Sequence, residues 1–250
     1  MKIGAQFYTI RDFCKTPEDL YESIKRVADI GYSCIQLSGV CDYDPTVMNK
    51  WLKEIGVDCV LTHISPDRLI GETDKVIADH DAFGCDLVGL GSFPVLFQEG
   101  GEAKTPEFIE TYLPVARALK DGGKYFMYHN HDMEFKKFNG SLVIDLMAEA
   151  IPASLMGFTL DTYWVQKGGA DPAYWIEKLS GRVPAIHLKD YSYGGRMEPV
   201  GCGNINFDRV FEKAEAAGTK YMLVEQDNCN GDDPFECLKI SYDYLRSAGF

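Results

Sequence analysis

His129 and His131 in the stretch YHNHDMEF stand two residues apart, with Glu134 three residues further on. His187 and Lys189 in AIHLKD share that spacing, as do Glu225 and Asp227 in LVEQD, while Asp161 lies in TLDTYW. Side chains two residues apart share a face when the stretch is a β-strand, so each pair would point the same way. Glu134, Asp161, His187 and Glu225 offer three carboxylates and one imidazole. Such a set suits one divalent cation, Mn²⁺ most naturally, with Mg²⁺, Co²⁺ and Zn²⁺ as alternatives. Each residue alone has an ordinary reading: Asp161 capping the next turn, Glu225 paired with a lysine, a histidine satisfied by backbone. Convergence from several strand ends is what makes a metal site the better reading.

That convergence needs a scaffold, and the chain supplies a repeated one. Amphipathic segments end at glycine and an apolar run follows, as in VADIGYSCIQLSG, WLKEIGVDCVLTH, HDAFGCDLVGLG and AEAAGTKYMLVEQD. Glycine there provides the left-handed residue that closes a helix, and β-branched and aromatic residues then favour a strand. The pattern predicts strands near 2–8, 32–38, 57–64, 85–91, 124–131, 155–162, 183–189 and 220–226. Helices are expected near 17–30, 45–55, 67–83, 105–121, 140–150, 171–180, 206–217 and 233–247. Thr16-Pro17-Glu18, Thr105-Pro106-Glu107 and Asp233-Pro234 read as helix starts, each a cap followed by proline in the first turn. Eight strand–helix units in 250 residues give an α/β chain with the rhythm of a (β/α)₈ TIM barrel, one domain over residues 1–250. A doubly wound sheet would need a glycine-rich turn after its first strand, and QFYTIRDF has none. In a barrel the strand C-termini form the active face, where His63, His129, His131, Asp161, His187 and Glu225 would all fall.

Composition narrows the function. A net charge of −13 with scattered lysines and arginines disfavours nucleic acid, whose phosphates need a basic face. No apolar run is long enough for a membrane span, and the N-terminal stretch lacks the form of a secretory signal. Eight cysteines without a CxxC pair read as reduced thiols, which places the protein in the cytoplasm. The GxG of PVGCGNINF is too weak a motif to claim a phosphate site.

YHNHDMEF, GFTLDTYWVQKGG, GRVPAIHLKD and YMLVEQD, in that order and spacing, resemble the xylose isomerase-like TIM barrels grouped as sugar phosphate isomerases/epimerases. The opening MKIGAQFYTIRDF and DIGYSCIQLSG extend the likeness over nearly the whole chain. The resemblance implies one metal held by Asp161, His187 and Glu225 with Glu134 as the fourth ligand. In the ketose 3-epimerase branch that glutamate ends the fifth strand, where this chain has His129 and His131. A histidine of that strand is therefore an alternative ligand or base. It further implies an isomerase or epimerase that abstracts a proton beside the carbonyl of a small sugar, through a metal-stabilised enediolate. Glu225 and Glu134 or His131 would move the proton, Lys189 and His129 would steady the negative oxygen, and His63 and Trp164 would line the substrate. The nearest rival is a lyase acting on a keto-sugar, inosose or 3-keto-glycoside. An abasic-site endonuclease and a non-catalytic sugar-binding barrel stand further off.

Overall fold

A computed structural model describes all 250 residues. Eight parallel strands close into one barrel: β1 (Lys2–Gln6), β2 (Cys34–Leu37), β3 (Asp58–His63), β4 (Leu87–Leu90), β5 (Tyr125–His129), β6 (Met156–Asp161), β7 (Ala185–Leu188) and β8 (Tyr221–Val224). Sequential strands pair, and β8 seals the ring by pairing with β1 from Lys2↔Tyr221 to Ala5↔Val224. Around it run α1 (Pro17–Ile30), α2 (Pro45–Ile55), α3 (Pro66–Gly71), α4 (Thr73–Phe83), α5 (Thr105–Asp121), α6 (Val143–Ala150), α7 (Thr162–Lys167), α8 (Pro172–Lys178), α9 (Phe207–Ala216) and α10 (Pro234–Ser247). None of these helices is long and apolar enough to cross a membrane.

Local chemistry explains the elements. Thr16 and Asp233 accept backbone N–H groups at the starts of α1 and α10, each with proline in the first turn. Gly56 and Gly84 close α2 and α4 in the left-handed region, their N–H groups donating to Leu52 and His80 carbonyls. Three expectations shift. Thr105 is the first residue of α5, not its cap; its hydroxyl donates to the Glu102 carbonyl. The helix expected over 67–83 is broken at Glu72, whose backbone leaves helical geometry (φ −132°, ψ 31°), into α3 and α4. A short helix, α7, starts directly on the end of β6, capped by the Asp161 side chain.

The main core lies between barrel and helices, where Phe126, Tyr128, Phe158, Leu160, Ile186, Leu188 and Met222 point outward. A smaller plug of Cys34, Val60, Leu61, Met127, Ala185 and Leu223 fills the barrel interior. Strand alternation carries Met127 on to His129, Ala185 to His187 and Leu223 to Glu225, so the polar set sits directly above this plug. Gly89 keeps the interior open, since a Cβ there would lie 2.4 Å from the Thr62 carbonyl oxygen.

Candidate active site

At the C-terminal mouth of the barrel a cavity of about 540 Å³ is lined by Gln6, His63, His129, His131, Trp164 and Glu225, among others. A larger cleft of about 710 Å³ at the opposite end, around Lys53, Asp58, Asp81 and Lys220, has no imidazole. The histidines cluster at the mouth.

His129, Asp161, His187 and Glu225 are all buried and bring one potential ligand atom each within 4.8 Å of the others. The side chains around them fix their orientations. His129 Nδ1 lies 2.8 Å from the Gly91 carbonyl, so that nitrogen carries a proton, and Nε2 faces Asp161 Oδ2 at 3.2 Å, where in the neutral ring it presents a lone pair. His187 Nε2 lies 2.7 Å from Gln36 Oε1 and its Nδ1 faces Glu225 Oε2 at 2.9 Å; burial acts to lower the His187 pKa, but Glu225 and Asp161 raise it overall. Neither His187 Nδ1 nor Glu225 Oε2 has a partner in hydrogen-bond geometry. In neutral imidazoles these are acceptors aimed at acceptors, an arrangement that a cation between them turns from repulsive to favourable. The outer N–H of each ring held by a carbonyl oxygen is also the usual support of a metal-ligating histidine.

Charge points the same way. Lys189, fully buried, places Nζ 3.0 Å from Asp161 Oδ2, 2.9 Å from Glu225 Oε2 and 3.0 Å from Asp227 Oδ1. With the imidazoles neutral, three carboxylates less one ammonium leave two negative charges, which one divalent cation cancels. Burial alone would raise the Asp161 and Glu225 pKa values, yet the Lys189 ammonium and the neighbouring imidazoles carry both below the carboxylate range. For Lys189, burial acts to lower the pKa, but Asp161, Glu225 and Asp227 raise it well above the usual ammonium range. The residues present fit a divalent metal.

The site residues expected from sequence fall into three groups. Asp161, His187 and Glu225 converge; Asp161 divides its carboxylate, with Oδ1 capping α7 through Trp164 N (2.9 Å) and Oδ2 in the cluster. Glu134 lies outside this cluster, where Tyr128 O–H donates to its Oε1 (2.5 Å) and the His131 N–H to its Oε2 (2.7 Å), and the cluster's fourth member is His129. Lys189 is occupied by carboxylates, whereas His63, His131 and Trp164 face the cavity. His63 Nδ1 meets Ser38 Oγ at 3.1 Å and its Nε2 is unpartnered. His131 Nδ1 is likewise unpartnered, and its ring packs against His129, Trp164 and Phe97 with centroids 4.7, 5.0 and 5.1 Å away. Burial, followed by the proximity of His129, pushes the His131 pKa down to about 2 and holds His63 well below its usual value. Both imidazoles are therefore neutral near pH 7.

Sequence reasoning gave no role to Gln36, Gln6 or Tyr128. Gln36 and Gln6 were visible as polar side chains at strand ends. Gln6 Nε2 donates to Glu225 Oε1 at 2.6 Å, holding that carboxylate from the other side of the barrel seam. Tyr128 is an outward core residue with no local signal for its bond to Glu134.

Comparison with known proteins agrees with this architecture. A family model described as xylose isomerase-like TIM barrel matches residues 24–248. An inosose dehydratase of Mesomycoplasma hyopneumoniae (strain J / ATCC 25934 / NCTC 10110) is 23% identical, over 90% of this chain and 87% of its own length. Among solved structures, a sugar phosphate isomerase/epimerase from Parabacteroides distasonis ATCC 8503 superposes with a TM-score of 0.85 at 21% identity, covering 99% of this chain and 94% of that one. An L-ribulose 3-epimerase gives 0.75 at 16% identity, with coverage of 99% and 94%. At these identities the structural likeness speaks to the fold.

Proposed function

The chain belongs to the xylose isomerase-like TIM barrel family, and from that premise we propose that it is a divalent-metal-dependent isomerase or epimerase moving a proton beside the carbonyl of a small sugar or related keto compound. The observation that carries this reading is the pair of imidazole nitrogens set against carboxylate oxygens at 3.2 and 2.9 Å on the floor of the cavity. His129, Asp161, His187 and Glu225 are the proposed ligands. Two nitrogens and two oxygens suit Mn²⁺, Co²⁺ or Zn²⁺ better than Mg²⁺. A cation held there would act as a Lewis acid on the substrate carbonyl and steady the negative charge left when the proton departs.

The chain's own groups do the rest. His131 has a ring nitrogen that no protein group claims and is the proposed proton acceptor; burial weakens it as a base, so the negative charge formed on the substrate beside it is what would hold the proton there. His63, with its ring centroid 5.3 Å from that of His129, lines the cavity, and the proton that His131 takes is the one that His131 returns to the neighbouring carbon. Glu225, held by Gln6 and Lys189, is assigned as a ligand and not as the base. Trp164 gives the substrate an aromatic face. Lys189 keeps the carboxylates charged and aligned.

A lyase is the second reading. Glu134 is committed to Tyr128 and the His131 backbone, so imidazoles stand where a two-glutamate epimerase would use carboxylates. The likeness to inosose dehydratases points the same way. Incubating the Mn²⁺-loaded protein with ketoses, inososes and keto-glycosides in D₂O separates the readings. Deuterium at the carbon beside the carbonyl with a product of equal mass supports the isomerase or epimerase. Loss of water or an aglycone supports the lyase, and no exchange with any of them sinks both.

A further inference from the structure

A lysine buried alone is costly, because its ammonium gives up water and gains no partner; set among carboxylates it becomes a fixed internal charge. Lys189 is of the second kind. It is the residue after β7, two positions beyond the proposed ligand His187, and its side chain is wholly enclosed. Thr162 pins its backbone on both sides: the Thr162 hydroxyl oxygen accepts from Lys189 N at 3.0 Å, and the hydroxyl donates to the Lys189 carbonyl at 2.8 Å. The stem therefore enters the mouth from a fixed point.

The ammonium divides the acids around it into two kinds. Nζ meets one oxygen each of two proposed ligands, Asp161 Oδ2 at 3.0 Å and Glu225 Oε2 at 2.9 Å. It takes both oxygens of Asp227, at 3.0 and 3.1 Å. Asp227 is not a member of the ligand cluster, and its side chain, 23% exposed, lies in the cavity wall. The other cation of that wall, Arg11, reaches Asp227 at the backbone carbonyl, 3.2 Å away, and leaves the carboxylate to Lys189. Lys189 and Asp227 thus form a balanced pair. What remains inside, with the imidazoles neutral, is the charge of Asp161 and Glu225.

We propose that Lys189 and Asp227, neither of them a metal ligand, set the valence of the cation that the mouth accepts, holding the cage at two negative charges and so favouring a divalent over a trivalent ion. The proposal rests on the reading above that His129, Asp161, His187 and Glu225 hold a metal. Its physical reason is burial: in a site closed to water an unmatched charge keeps most of its Coulomb cost, which solvent would screen at the surface. Removing the ammonium leaves three negative charges, removing the Asp227 carboxylate leaves one, and removing both restores two.

The test is metal binding to wild type, Lys189→Met, Asp227→Asn and the double variant. Mn²⁺ is titrated by calorimetry and Tb³⁺ by its luminescence. The ratio of the two dissociation constants is compared between proteins, so that the ligands' own preference for either ion cancels. Lys189→Met should move the ratio toward Tb³⁺ by about tenfold or more, Asp227→Asn should move it toward Mn²⁺ by a similar factor, and the double variant should return to the wild-type ratio. A lysine that merely propped the mouth open would not be rescued by loss of Asp227. Unchanged ratios in the single variants overturn the proposal, and so does a double variant that keeps the Lys189→Met ratio. Should Lys189→Met fail to show a folding transition, the direction of the shift in Asp227→Asn decides alone. A wild type that binds neither ion overturns the metal reading itself, whereas bound Mn²⁺ with unmoved ratios refutes this proposal and leaves that reading standing.

Discussion

His131 stands two residues beyond β5 with an imidazole that no other group claims, while its backbone N–H is held by Glu134. His131→Asn should keep the bound metal and melt near wild type, yet lose deuterium exchange by about a hundred- to ten-thousand-fold, the usual worth of general acid–base assistance. Undiminished exchange would return the proton transfer to His63 or a carboxylate. Tyr128→Phe tests the neighbouring pair: it leaves a buried Glu134 oxygen without its donor and should cost about 1–3 kcal/mol in denaturant unfolding while metal content stays stoichiometric. Loss of metal in that variant would bring Glu134 back as a ligand. At this scale the sequence showed which side chains share a face, because i, i+2 spacing along a strand is rigid. It could not show where Glu134 points. That carboxylate sits in a 3₁₀ turn, Met133–Phe135, and its direction is set by a tyrosine hydroxyl from the outer face of β5.

Helix α4 and strand β3 are joined by a buried histidine that has no part in the site. His80 Nδ1 donates to the Val76 carbonyl (2.7 Å), and Nε2 accepts from Thr62 O–H (2.8 Å). Burial, above all else, lowers its pKa from 6.5 to about 4. The unfolded chain therefore binds the extra proton first, so this contribution to stability is complete above about pH 6.5 and is lost as pH falls toward 4. The loss should amount to about 3 kcal/mol, since each tenfold change in proton affinity is worth about 1.4 kcal/mol. Denaturation curves of wild type and His80→Gln should converge on acidification across that window; parallel curves would refute the assignment. Most helix and strand positions were legible because glycine stops, proline starts and apolar runs are local signals. The break at Glu72 and the helix α7 were not: one interrupts an otherwise continuous helical pattern, and the other depends on Asp161 acting as cap and cluster member together.

At the scale of the whole molecule a bound metal would couple to the fold, since the four proposed ligands come from β5, β6 and β7 and from the residue just past β8. Saturation at about a hundred times the dissociation constant would add about 2.7 kcal/mol. Chelation should then lower the melting temperature by about 5–10 °C in a chain of this size; an unchanged transition would argue against a tightly held ion. The eightfold rhythm announced a barrel, but rhythm alone does not distinguish a closed ring from a twisted open sheet; the pairing of Lys2–Ala5 with Tyr221–Val224 does. That seam has a further meaning for a chain made from its N-terminus. β1 leaves the ribosome early and stays an unpaired edge until β8 follows, and Gln6 waits 219 residues for Glu225. Ring closure and the arrival of the last ligand are therefore one event. A nascent or truncated chain that stops short of residue 225 lacks one of the four proposed ligands, so on the metal reading the cage is completed only once β8 has closed the ring.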